Sequence, residues 1–75
     1  MPQIVPLNLL QAGECGEIVD VVGTHSLVTR LQEQGVRRGS RLEALSPGEP
    51  FVFRVDETRL CLRSDGQVQV LVELR

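Results

Sequence analysis

Lysine, tryptophan and tyrosine are all missing from this 75-residue chain, and its only aromatic residues are Phe51 and Phe53. A barrel that binds single-stranded nucleic acid needs aromatic platforms for base stacking, and none can be assembled here. The aromatic-lined groove on which polyproline ligands dock is excluded on the same ground. The eight basic residues, all arginine, are outnumbered by ten acidic ones, for a formal net charge of −2. Nucleic-acid binding rests on cationic neutralisation of phosphates, so nucleic acid is not expected as a partner. The exclusive use of arginine reads as a compositional habit rather than selection for bidentate anion recognition. Apolar runs stay far short of the roughly 20 residues that cross a bilayer. Met1-Pro2-Gln3-Ile4 carries no cationic stretch ahead of an apolar one, so no secretory signal is expected either. The expected location is therefore cytoplasmic, without membrane insertion, and there Cys15 and Cys61 should be free thiols.

Motifs for chemistry are equally scarce. No C-x-x-C, H-x-x-x-H or paired-carboxylate motif occurs, which leaves Cys15, His25 and Cys61, with Glu14 and Glu17, as scattered metal-ligand candidates. Cys15 falls in a turn, and Cys61 stands between Leu60 and Leu62, where cysteine usually behaves as a small hydrophobe. His25 precedes Ser26, but adjacency along the chain does not create base-to-nucleophile geometry. The glycines are isolated and no G-K-[ST] phosphate loop is present. Neither an enzyme, a bound cofactor nor a specific metal site is expected.

What the chain does have is local punctuation. Leu7 and Leu10 fit a helical turn near residues 7–11, followed by turn chemistry at Gly13-Glu14-Cys15-Gly16. Glu17 to Val22 is β-branched and reads as a first strand. Leu27, Val28 and Leu31 then place an apolar stripe on a helix over about 26–34, with Thr24 or Ser26 as its N-cap. With Gly35 at C′, Val36 and Leu31 are the C″ and C3 pair of a Schellman stop. Gly39 follows as the third position of a type II turn.

Downstream the period changes to two. Leu42 and Ala44 alternate with Arg41 and Glu43, and Phe51, Phe53 and Val55 with Val52 and Arg54. Asp56-Glu57 separates that strand from one carrying Leu60 and Leu62 against Arg59, Cys61 and Arg63. Asp65-Gly66 signals a type I′ hairpin into a last strand with Val68, Val70, Val72 and Leu74 on one side. Pro2 to Pro6 reads as a loose lead-in. Five short strands avoid exposed edges best by curling up. The expected fold is mainly β: one domain over 1–75, a small SH3-like five-stranded barrel with one short covering helix.

Four blocks carry a family resemblance: Leu7-x-x-Leu10-x-x-Gly13-x-x-Gly16-x-Ile18, then Arg30-Leu31-x-x-x-Gly35-Val36-x-x-Gly39, then Gly48-Glu49-Pro50, then Leu60-Cys61-Leu62-Arg63. Their order and gaps resemble the FeoA family, the small cytosolic component of bacterial ferrous iron transport. The resemblance implies an SH3-like barrel and a non-enzymatic accessory or regulatory role. Its implied partner is FeoB, a ferrous iron permease whose cytosolic part contains a G-protein domain. Two alternatives stand beside it, a regulatory domain of the kind found in metal-dependent repressors and a small metal-binding protein. The start at Met1, with no winged-helix region before the barrel, favours the stand-alone subunit. Arg30, Glu33 and Gln34 on the exposed helix side, with Arg37 and Arg38 on the next turn, are the expected partner-binding residues. Grouped arginines can meet an acidic surface through charge-assisted pairs.

Overall fold

The computed structural model describes residues 3–63 and 66–74. Its strands are β1 (Ile4–Pro6), β2 (Cys15–Gly23), β3 (Arg41–Ser46), β4 (Phe51–Val55), β5 (Thr58–Leu62) and β6 (Val68–Leu74), with helix α1 (His25–Glu33) between β2 and β3. A 3-10 turn, Leu7–Leu9, follows β1 and buries Leu7 and Leu10. All strands join one antiparallel sheet in the order β1-β6-β2-β3-β4-β5.

The alternation read from the sequence sets which side faces the core. Leu42, Ala44, Phe51, Phe53, Val55, Val70 and Val72 are all buried, while Arg41, Arg54, Gln67 and Gln69 are exposed. Phe51 and Phe53 sit on the same face with ring centroids 6.4 Å apart, so the two aromatics serve as a single tilted anchor. Val70 is completely buried and paired with Val21. Val70→Ala should therefore lower unfolding stability by about 1–3 kcal/mol, the cost of removing buried methyls without collapse of the site. Chemical denaturation measures this, and a loss below about 0.5 kcal/mol would contradict the packing, because that is the range of surface substitutions.

Several expectations change. The lead-in is not loose, since Ile4, Val5 and Pro6 pair with Glu73, Val72 and Leu71. A three-residue segment has too little period to announce itself, and its pairing with the far end of the chain makes it a strand. Among the described residues the sheet therefore has six strands and stays open, with β1 and β5 at its edges, in place of a closed five-stranded barrel. The mainly β, SH3-like class holds. The strand expected from Glu17 begins at Cys15, so Cys15 and Gly16 belong to β2 rather than to a turn. A register shift between Ile18 and Asp20 leaves Val19 as an extra residue and bends β2 along β6. Asp56-Glu57 does form the two-residue link, with Val55 opposite Thr58. The expected Asp65-Gly66 turn lies partly outside the described residues; Gly66 itself has φ 79°.

Candidate protein-docking surface

Helix α1 is too short to persist alone in water and is held by its apolar stripe. Leu31 is buried, with Leu27 and Val28 half-buried beside it. Thr24 occupies the N-cap position, though its hydroxyl makes no capping hydrogen bond, and Ser26 lies within the helix. At the other end the Schellman stop forms as expected. The Val36 N–H donates to the Leu31 carbonyl at 2.9 Å and the Gly35 N–H to the Gln32 carbonyl at 3.1 Å, with Gly35 at φ 101°.

The turn that follows is fixed from several sides. Gly39 adopts φ 89°, and the Ser40 N–H closes the type II turn on the Arg37 carbonyl at 3.1 Å. The Ser40 hydroxyl donates to the Gly35 carbonyl at 2.9 Å, tying the turn to the helix stop. The Gly39 N–H reaches the Ile18 carbonyl and the Ile18 N–H the Ser40 carbonyl, each at 2.8 Å, which anchors the same turn to β2. Helix end, turn and strand thus form one hydrogen-bonded unit that presents Arg37 and Arg38 to solvent.

All five expected partner-binding residues, Arg30, Glu33, Gln34, Arg37 and Arg38, are exposed. Arg30 and Gln34 line a groove between α1 and β5 together with Arg59. Arg37 and Arg38 border a second hollow with Asp20, Val21 and Gln32. Arg38 Nη2 stands 3.4 Å from Asp20 Oδ1 in a solvent-exposed ion pair, worth at most about 1 kcal/mol. Among the described residues no ion pair joins Arg30 to Glu33. Arg59 was invisible in the sequence as a neighbour of Arg30, because its place beside α1 depends on β5 ending the sheet.

The metal-ligand candidates are scattered. Cys15 and Cys61 are both exposed free thiols, and Cys61 lies at the surface of β5 on the side of Arg59, not packed away as a small hydrophobe. His25 opens α1 in solvent. Among the described residues no group of three or more His, Cys, Asp or Glu side chains could hold a metal ion. Among those same residues no helix is long and apolar enough to cross a membrane.

The chain matches the FeoA domain family over residues 5–74. A crystal structure described as iron uptake regulatory protein (FeoA) superposes with a TM-score of 0.78 at 24% identity, covering 93% of this chain and 99% of that one. No curated protein matches.

Proposed function

This chain belongs to the FeoA family, and from that premise we propose that it is a non-catalytic accessory or regulatory subunit of ferrous iron uptake, acting in the cytoplasm. It works by docking on the cytosolic part of a FeoB-type permease through α1 and the Arg37-Arg38 turn. The structure described as an iron uptake regulatory protein supports the first part of this reading. The observation that carries the second is the construction of the turn. Two exposed arginines sit on a segment braced to both the helix stop and β2, so their backbone needs no further ordering when a partner binds. Arginine suits this use, since its guanidinium pairs carboxylates with two parallel hydrogen bonds.

The test is reversal of charge. The Arg30→Glu/Arg37→Glu double variant should keep its circular dichroism spectrum and lose about tenfold in affinity for the purified cytosolic region of the permease, read by calorimetry. The wild-type affinity should also fall as salt is added, because exposed charges are screened. Unchanged affinity in the folded double variant would move the site, with the loop around Gly48 as the next place to look. Absence of wild-type binding would overturn a direct, stable complex.

A further inference from the structure

We propose that the free edge of β5, with the groove between it and α1, takes an extended segment of a partner protein in which apolar and acidic residues alternate. This goes beyond the docking reading, which concerns α1 and the Arg37-Arg38 turn. Strand β5 pairs only with β4 and ends the sheet, and among the described residues no backbone hydrogen bond covers its outer side. The two-residue Asp56-Glu57 link makes Val55 and Thr58 a hydrogen-bonded pair, and the pairs alternate from there. Arg59 and Cys61 therefore belong to the other kind of pair and turn their N–H and C=O groups outward. Their two-residue spacing is that at which an incoming strand offers its own backbone groups.

The groove beside this edge decides which segment fits. Its apolar wall comes from Leu27 and Leu31 on one side and Leu60 and Val68 on the other, with Leu27 and Val68 only half-buried. Arg30 and Arg59 stand on the rim, exposed and, among the described residues, without an ion pair. Arg54, which pairs with Arg59 across the strands, is already engaged by Glu43. An apolar centre with a cationic rim selects apolar residues on one face of the added strand and carboxylates at its margin. It also disfavours a second copy of this chain, since joining two copies through β5 would bring two arginine rims together. The opposite edge offers nothing comparable: β1 is three residues long, contains Pro6 and bears no basic side chain.

The two thiols supply an internal readout. Cys61 lies on the proposed edge, whereas Cys15 lines a separate hollow with Arg41 and Arg54. A short fluorescein-labelled peptide of alternating valine and glutamate should bind the intact protein by anisotropy. It should slow iodoacetamide alkylation of Cys61, followed by mass spectrometry, and leave Cys15 unaffected. The valine–lysine counterpart should not bind. Arg59→Glu should weaken the acidic peptide by about tenfold. Cys61→Pro removes only an outward N–H, a change tolerated at sheet edges, and should weaken binding while the fold persists. If that variant does not fold, Arg59→Glu and the wild-type alkylation pattern still decide. Lack of binding by the wild type, equal binding of the lysine peptide, or binding that leaves Cys61 fully reactive would overturn the proposal. Absence of wild-type peptide binding with permease association intact would overturn this edge alone, and peptide binding without permease association would overturn the docking reading alone.

Discussion

Gly16→Ala should destabilise the protein by about 3 kcal/mol or more, at the upper end of what an inserted methyl costs in a packed interior. Gly16 is buried in β2, between Leu42 of β3 and Leu74 of β6. A Cβ there would lie 2.2 Å from Val72 Cγ1 and 2.7 Å from the Glu73 carbonyl oxygen. The valine methyl could be displaced only into a core where Val72 is already fully buried, and the carbonyl belongs to the β6 backbone. Relief requires moving one strand off the other, along the longest pairing of the sheet. A domain of this size has about 4–11 kcal/mol in total, so one methyl removes a large part of it. Urea denaturation of Gly16→Ala, Val72→Ala and the double variant gives the test. The double variant should be more stable than the sum of the two single losses, because removing Cγ1 relieves half of the clash. Strict additivity, or a Gly16→Ala loss below about 1 kcal/mol, would show that β2 and β6 separate more easily than their spacing implies.

This contact marks where sequence reading stops. Features that depend on near neighbours could be read directly: the Schellman stop at Gly35, the type II turn at Gly39, and the alternation of Phe51, Phe53 and Val55. Each follows from a conformation that one residue type favours or from the period of two. Gly16, by contrast, looked like one more turn glycine beside Gly13. Its true constraint comes from Val72, more than fifty positions away. The strand Ile4–Pro6 was missed for the same reason, since only its pairing with β6 defines it. Cys61 shows the limit from the other direction. Its alternation with Leu60 and Leu62 was legible, but its outward exposure at an open edge depends on strand order.

The expected docking residues divide along the same line. That Arg30, Glu33, Gln34, Arg37 and Arg38 are exposed could be read from the helix period and the stop that follows it. That Arg30 shares a groove with Arg59, while Arg37 and Arg38 share another with Asp20, could not. The first hollow lies between α1 and β5, and the second takes residues from α1, β2 and the turn after the helix.

Gly35→Val should cost about 3 kcal/mol, at the top of the range for a non-glycine residue forced into a left-handed conformation. The origin of that cost is separable from crowding. A Cβ at Gly35 would meet only Val55 Cγ1 at 3.7 Å, an ordinary contact, whereas φ is 101°. Backbone strain therefore sets the order of substitutions: valine worst, alanine intermediate and asparagine mildest, since asparagine tolerates positive φ. Thermal and urea unfolding of the three variants would measure it. If asparagine costs as much as valine, the strain account is wrong and side-chain volume governs the site. The effect should reach beyond stability, because the Gly35 carbonyl accepts the Ser40 hydroxyl that braces the Arg37-Arg38 turn. In the folded fraction of Gly35→Ala, amide exchange should quicken at Ser40 and Gly39, whose N–H groups close and anchor the turn. Val70 and Val72, fully buried on the internal strand β6, should exchange at a rate set by global unfolding alone. Equal acceleration at all four amides would mean that the turn has no independent brace, and the proposed docking role of Arg37 and Arg38 would lose its structural basis.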